Sequence, residues 1–415
     1  GCGRYDGKTV FVPLTAPGDT VRCRIVTAKK RYAEAELVEV LSTAADRIAP
    51  VCAYFGDCGG CQWQFLPYAA QLDAKVQIFT ELLTRQAGIA DVSLCAPLSA
   101  PDPWHYRGRA QFKCHATAAG LAIGFYRRNS HHVVAIDTCP ILADRLNQAL
   151  ALLRQHLPSA PAARQISQID VQVGADGRLR VTLIFQGEAP DRLLSFLTPL
   201  FAAEKIALAI QYGHKTALKV AADEDDLFIT VAEPPLELRY RTGGFVQVNQ
   251  AQNRQLVVQM LRDAGDLRGR RVLDLYCGIG NFSLPLARRA GQVVGVEEYG
   301  PAIADAQRNA AQARLNNCSF HARDAVGAAI ALWGDGFDLV LLDPPRSGAA
   351  EVVPELVRLR PSRIIYVSCD PATLARDLKV LIKGGYRLVA TRVVDMFPQT
   401  FHIESISVLE RVADR

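Results

Sequence analysis

The run Ile364-Ile365-Tyr366-Val367-Ser368-Cys369-Asp370-Pro371 constrains this chain more than any other stretch. Four apolar, β-favouring residues without alternation predict a strand buried on both faces, as in a parallel sheet packed between helices. Pro371 suits the first position of a helix, so Ala372 to Leu378 are predicted helical. Cys369 therefore lies where a strand hands over to a helix. In open parallel sheets ligands bind beyond the carboxyl ends of strands, and a helix N-terminus favours negative charge, so a thiol there is both presented and biased toward thiolate. An isolated cysteine is more often a small buried hydrophobe, so the surrounding motifs must decide.

The chain beyond Pro235 repeats this grammar. Arg271-Val272-Leu273-Asp274-Leu275-Tyr276-Cys277-Gly278-Ile279-Gly280-Asn281-Phe282-Ser283 reads as a strand, a glycine loop and a helix start, and Gln292 to Glu297 as a strand ending in a carboxylate. That is the layout of a nucleoside-binding doubly wound sheet, in which the carboxylate takes the ribose hydroxyls. The loop is Gly-x-Gly without the third glycine of the dinucleotide fingerprint, which favours S-adenosylmethionine over a nicotinamide cofactor. Phe337 to Gly348 is a further strand ending in the rigid turn Asp343-Pro344-Pro345-Arg346, and the Cys369 strand follows it. Phe397-Pro398-Gln399-Thr400-Phe401-His402-Ile403-Glu404 enters a last strand and brings Glu404 near the same rim, although periodicity alone fits an ordinary surface glutamate equally well.

Ahead of Pro235 the pattern changes. Residues 1–45 alternate in short strands, Thr9 to Pro13, Asp19 to Val26 and Ala33 to Val40, separated by Pro-Gly or basic turns, which predicts a small OB-like barrel. Arg22, Arg24, Lys29, Lys30 and Arg31 cluster there, and Arg107, Arg109, Lys113, Arg127, Arg128, His131 and His132 follow; a solvated face and a nucleic-acid surface are both open readings. Cys52, Cys58 and Cys61 surround a Gly59-Gly60 turn, and the remote Cys139-Pro140 can supply a fourth thiolate. Zinc usually takes two paired knuckles, so this spacing suits an iron-sulfur cube better. Leu66 to Gln86 is predicted helical. From Trp104 to about Glu233, strands such as Ile169 to Val173 and Leu179 to Phe185 mix with a helix over Arg192 to Glu204, predicting a central α+β domain. Asp223 to Asp226 and Pro234-Pro235 read as acidic turns or a linker.

At 415 residues and 49% hydrophobic, the chain can bury cores for two or three domains. No window approaches the ~20 consecutive apolar residues that cross a bilayer, and no signal peptide is visible. The chain starts at Gly1 inside a β pattern, so its natural start is expected further upstream. The 11 cysteines are an odd number in a chain too large to need disulfide staples, which predicts a reducing compartment with metal or catalytic roles for some of them. A net charge of +5 is too mild to name a partner.

Five stretches resemble, in order, the motifs of the RNA 5-methyluridine methyltransferase family: Gly244-Phe245-Val246-Gln247-Val248-Asn249, the Asp274 to Ser283 loop, Asp343-Pro344-Pro345-Arg346-Ser347-Gly348, Ser368-Cys369-Asp370-Pro371 and His402-Ile403-Glu404. The resemblance covers nearly the whole chain. It implies a TRAM-like barrel over 1–45, a central α+β domain with iron-sulfur cysteines over 46–235, and an α/β doubly wound, Rossmann-like methyltransferase domain over 236–415, on which the helix over 66–88 packs. It further implies that Cys369 is the thiolate that adds to C6 of uracil and that Glu404 is the base that removes the C5 proton. Gln247, Tyr276, Asn281, Glu297 and Asp343 match cofactor-contacting positions, and Asp324 is carried over for the adenine. Cys52, Cys58, Cys61 and Cys139 match the branch that bears a [4Fe-4S] cluster and modifies 23S ribosomal RNA.

The expected cofactors are thus S-adenosylmethionine and the cluster, the expected partner a single-stranded or loop uridine of 23S rRNA, and the expected form a cytoplasmic monomer. Tyr106, Arg107 and Arg109 are candidate RNA contacts. The family usually has Asn after the nucleophile; Asp370 stands there instead, can still cap the helix, and would oppose ionisation of the neighbouring thiol. A tRNA uracil methyltransferase is the nearest rival. An amino-group methyltransferase needs a stacking aromatic where this chain has Arg346, a cytosine-5 methyltransferase leaves Glu404 and the cysteine set without a purpose, and a non-catalytic RNA-binding module predicts a lost nucleophile or base.

Overall fold

A computed structural model describes residues 1–118, 120–213, 219–221 and 226–412. The apolar runs of the second half form a seven-stranded sheet in the order Cys318–Ala322, Gln292–Glu297, Arg271–Leu275, Leu339–Leu342, Arg363–Ser368, Glu404–Arg411, Tyr386–Val394. The first five run parallel, and Glu404–Arg411 is antiparallel to both its neighbours. Strand order reverses between Arg271–Leu275 and Leu339–Leu342, which opens a crevice at the carboxyl ends. Both faces are covered, because nearly every strand residue is apolar and must leave water. Leu256, Val257 and Met260 of the helix Gln250–Ala264 share one apolar layer with Val272, Leu341 and Val367. Leu374, Leu378 and Leu381 of the helix Pro371–Lys383 share the other with Leu273, Val340 and Ile364.

Two segments from earlier in the chain join these layers. The helix Tyr68–Leu82, continued by a wider turn over Leu83–Ala87, contributes Phe79, Leu83 and Ala87 to the second layer. The hairpin Leu227–Val231 with Leu236–Tyr240 contributes Leu227, Ile229, Val231, Leu236, Leu238 and Tyr240 to the first. Pro234-Pro235 is the turn of this hairpin, so the break expected between 235 and 236 falls inside it: alternation put one apolar face on each strand, and that face packs forward onto the large sheet. Of the acidic turn or linker expected over Asp223 to Asp226, residues 223–225 lie outside the described residues, and Asp226 pairs with Arg308 at 2.5 Å.

The central sheet is ordered Lys219–Ala221, Ile206–Tyr212, Leu179–Phe185, Ile166–Val173, Arg109–Thr117, Gly120–Tyr126, Val133–Ala135, and packs against the helices Asp144–His156 and Asp191–Ala203. At the front, Cys2–Tyr5, Lys8–Phe11, Tyr32–Ser42 and Thr20–Ala28 form a four-stranded sheet over a small core of Val10, Val12, Ala33 and Ala35. Among the described residues no helix is long and apolar enough to cross a membrane.

Candidate active site

Register builds the rim. Ser368, the last residue of its strand, pairs with Ser405, so Cys369 emerges beside Glu404, while Asp343 follows the neighbouring strand Leu339–Leu342. Glu404 is 3% exposed. Burial pushes the Asp343 and Glu404 carboxyls up from their ordinary range, and Asp343 adds its charge to the effect on Glu404. The Cys369 thiol is pushed up to about 11, first by burial, then by the charges of Glu404 and Asp343, with Arg346 pulling the other way.

This corrects one expectation: in the free thiol, desolvation and two carboxylates outweigh the helix N-terminus. Asp370 is the next residue. Its Oδ1 accepts hydrogen bonds from the Ala372 and Thr373 N–H groups, both 3.0 Å, and so caps the helix as expected.

Arg346 Nη2 lies 3.2 Å from His402 Nδ1. Burial and the Arg346 charge push His402 down to about 4, so the ring is neutral and its Nδ1 can accept from the guanidinium. The ring sits between Phe397 and Phe401, with centroids at 5.7 Å and 4.6 Å, and Phe401 is 51% exposed. Both residues lie inside sequence motifs, but a pairing across 56 positions leaves no local signal for a role at either.

The glycine loop leaves its strand through Tyr276 at φ +65°, a left-handed conformation uncommon for a bulky residue and found most often at functional sites. Glu297 braces the loop, its Oε2 accepting from the Gly278 N–H at 3.3 Å and its Oε1 from the Tyr299 N–H at 3.0 Å. Asn281 and Asn253 exchange side-chain hydrogen bonds at 2.8 Å and 3.1 Å. Asp324 follows the strand Cys318–Ala322 and caps the short helix Ala325–Ala331, its Oδ1 accepting from the Gly327 N–H at 2.7 Å. Gln247 is half-buried in the segment ahead of Asn249, which caps the helix Gln250–Ala264. Asp274, absent from the expected site, is fully buried beneath the loop; burial pushes it up to about 7, although Ser283 Oγ donates to it at 2.5 Å.

The candidate RNA contacts turn inward. The Tyr106 hydroxyl donates to the Pro398 carbonyl at 3.0 Å, Arg107 Nε to the Arg109 carbonyl at 2.9 Å, and Arg109 reaches Asp170 and the Gly244 carbonyl, both at 3.4 Å. Cys52, Cys58, Cys61 and Cys139 line one mostly apolar cavity of about 130 Å³ together with Tyr54 and Phe125. The Gly60 N–H points at Cys58 Sγ, 3.4 Å away. Among the described residues no three Cys, His, Asp or Glu side chains converge closely enough to hold a single metal ion.

The family model described as tRNA (uracil-5-)-methyltransferase matches residues 67–412, and that of the TRAM domain residues 1–38. The 23S rRNA (uracil(1939)-C(5))-methyltransferase RlmD of Aeromonas salmonicida is 38% identical over 420 residues, covering 99% of this chain and 93% of its own length. Its namesake from Alkalilimnicola ehrlichii is 39% identical over 428 residues, covering 100% and 94%. The crystal structure of Pyrococcus abyssi tRNA (uracil-54, C5)-methyltransferase in complex with S-adenosyl-L-homocysteine shares the fold, with a TM-score of 0.74 at 24% identity over 99% of this chain and 97% of that one. With a relative this similar along its whole length, and a family match spanning most of it, the chain belongs to the tRNA (uracil-5-)-methyltransferase family and is an S-adenosylmethionine-dependent RNA (uracil-C5)-methyltransferase.

Proposed function

We propose that the enzyme methylates C5 of a uridine in 23S ribosomal RNA through a covalent adduct on Cys369. The observation that carries this reading is the meeting of Cys369, Glu404 and Asp343 at one buried rim, opposite a braced glycine loop. C5 of uracil is too weak a nucleophile to take a methyl group unaided. Cys369 gives up its proton to solvent and its sulfur bonds to C6, the C5–C6 double-bond electrons passing into an enolate with electron density at C5. Gln247, Tyr276, Asn281, Glu297 and Asp343, with Asp324 toward the adenine, would hold S-adenosylmethionine, whose sulfonium would give its methyl group to C5 and leave as the neutral thioether. Glu404 then takes the proton from C5, the C5–C6 double bond re-forms, and the C6–S bond breaks to return Cys369. A carboxyl with a raised pKa is the stronger proton acceptor once ionised, which suits Glu404 to that step.

C6 is unreachable in a stacked base, so the uridine must be extruded or presented in a loop. The exposed ring of Phe401 next to His402 offers a surface on which an unstacked base can rest. The names of the relatives support 23S rRNA as substrate, and a ribosomal substrate supports a cytoplasmic enzyme.

We assign Cys52, Cys58, Cys61 and Cys139 to a [4Fe-4S] cluster. An all-thiol donor set around one apolar cavity fits such a cluster. A four-iron cube carries its thiolates on separate irons and so needs them spread wider than the ~2.3 Å bonds of one zinc ion allow. The cluster would tie the loop 52–61 to Cys139. We also group residues 227–412 with the helix over 68–87 as the catalytic domain, since they share its two apolar layers.

The test is tritium release from RNA labelled at uridine C5, with S-adenosylmethionine, comparing 23S rRNA fragments with tRNA. Release from the ribosomal fragments alone is the expected result. Release from tRNA alone would overturn the substrate, and release from neither would overturn the reaction.

A further inference from the structure

The segment Asp395 to Gln399 delivers the chain into His402 and Glu404, and it is gripped by residues more than 290 positions away in sequence. The N–H groups of Gln62 and Trp63 both donate to the Gln399 carbonyl at 3.0 Å. Gln71 and Gln399 form a reciprocal pair: Gln71 Nε2 donates to Gln399 Oε1 at 2.9 Å, and the Gln399 N–H donates to Gln71 Oε1 at 2.9 Å. Gln71 Nε2 also reaches the carbonyls of Trp63 and Leu66 at 3.1 Å and 2.9 Å, which ties the helix to the loop that follows Cys61. Lys75, fully buried, bonds Asp395 at 2.7 Å and the Phe397 carbonyl at 3.0 Å.

At the centre of this grip Gln399 is 2% exposed and holds φ at +68°. A buried non-glycine residue keeps a left-handed backbone only where its surroundings over-determine it. Here they do so at the bend before the proposed base, and the fastening runs through Gln62, the residue after Cys61.

We propose that Gln71 and Gln399 are positioning residues for the elimination step, setting the approach of Glu404 to the C5 proton and coupling the cysteine-rich loop mechanically to the base. The proposal rests on the reading of Glu404 as that base. A clamp of this kind has a signature that general stabilisation lacks. Loosening it slows proton removal while leaving thiol addition and methyl transfer intact, so the methylated covalent adduct accumulates.

The experiment uses the full-length enzyme with C5-tritiated 23S rRNA fragments in a single turnover, followed by denaturing gels for the protein–RNA adduct. Gln71→Met keeps the chain length and removes all four hydrogen bonds of the Gln71 side chain, two to Gln399 and one each to the carbonyls of Trp63 and Leu66; Gln399→Gly relieves the left-handed backbone and deletes the bond between the two side chains while keeping the backbone N–H and carbonyl. Either is expected to transfer methyl within about threefold of the parent, release tritium at least tenfold more slowly, and trap adduct. Glu404→Gln serves as the reference. Adduct with Glu404→Gln but with neither glutamine variant overturns the clamp alone. No adduct with Glu404→Gln overturns the base assignment and the clamp with it. A parallel fall in methyl transfer and tritium release in both glutamine variants, without adduct, marks a merely structural role and also overturns the proposal.

Discussion

Two sets of buried thiols in this molecule have similar acidities for different reasons. Cys61 and Cys139 are pushed up to about 12 and about 11 by burial, and the charges that add to it come from the other sulfurs of their cavity. Cys369 is pushed up to about 11 by burial as well, but the added charges are Glu404 and Asp343, with Arg346 opposing. A guanidinium stands near each set, Arg107 on the lining of the cysteine cavity and Arg346 near Cys369. What differs is the rest: among the described residues no carboxylate lines the cysteine cavity, where thiol faces thiol, whereas Cys369 has two carboxyl groups beside it. Burial raises a thiol pKa in either case; the neighbours decide whether the thiol binds metal or attacks carbon.

The comparison breaks most sharply at Cys369. Cys369→Ala should lower single-turnover methyl transfer by at least ~10,000-fold while RNA binding, followed by filter retention, persists. Retained transfer would remove the covalent route. Cys61→Ser should instead abolish iron content and the brown visible absorbance of purified protein, with the methyl-transfer burst still present. A colourless parent enzyme containing stoichiometric zinc would overturn the cluster assignment.

A finer contrast comes from pH. Because burial and two carboxylates push the Cys369 thiol up to about 11, its alkylation by iodoacetamide, mapped by mass spectrometry, should rise about tenfold per pH unit from 7 to 10. Arg346→Leu should slow it at every pH in that range. A rate flat above pH 8 would mean an already ionised thiol.

The smallest effect concerns Asp274. Its native carboxyl titrates near 7, above the ordinary aspartate value of 3.8, so the native state holds a proton that the unfolded state has lost, and stability falls as pH rises between those values. Asp274→Asn should therefore stabilise the protein at pH 8 by about 1 to 3 kcal/mol in denaturant titrations, with the gain disappearing toward pH 4. A gain independent of pH would show that charge is not the cause.

Much of the large sheet was legible because its strands are continuous apolar runs and its turns carry Gly-x-Gly, Asp-Pro-Pro and Cys-Asp-Pro, all local patterns. The helix over 68–82 was legible as a helix for the same reason. That it carries a fully buried lysine was not, since nothing in its periodicity announces a partner at position 395. Nor did the composition of the cluster Tyr106, Arg107 and Arg109 announce that these side chains reach Pro398, Asp170 and Gly244 within the chain. Pro234-Pro235 left a turn and a linker both open, because two prolines mark a break without saying what the flanking strands pack against.

By itself, then, the sequence determined the handover of strand to helix at Cys369, the glycine loop ahead of Asn281 and the carboxylates that end strands, since each depends on residues within one turn or one strand of another. Only the tertiary structure decided that Glu404 and Asp343 oppose the ionisation of Cys369, that Arg346 meets His402, and that Gln62, Gln71 and Lys75 hold the bend at Gln399. Desolvation and pairing depend on which surfaces leave water together, and that is a property of the packed chain, not of any window along it.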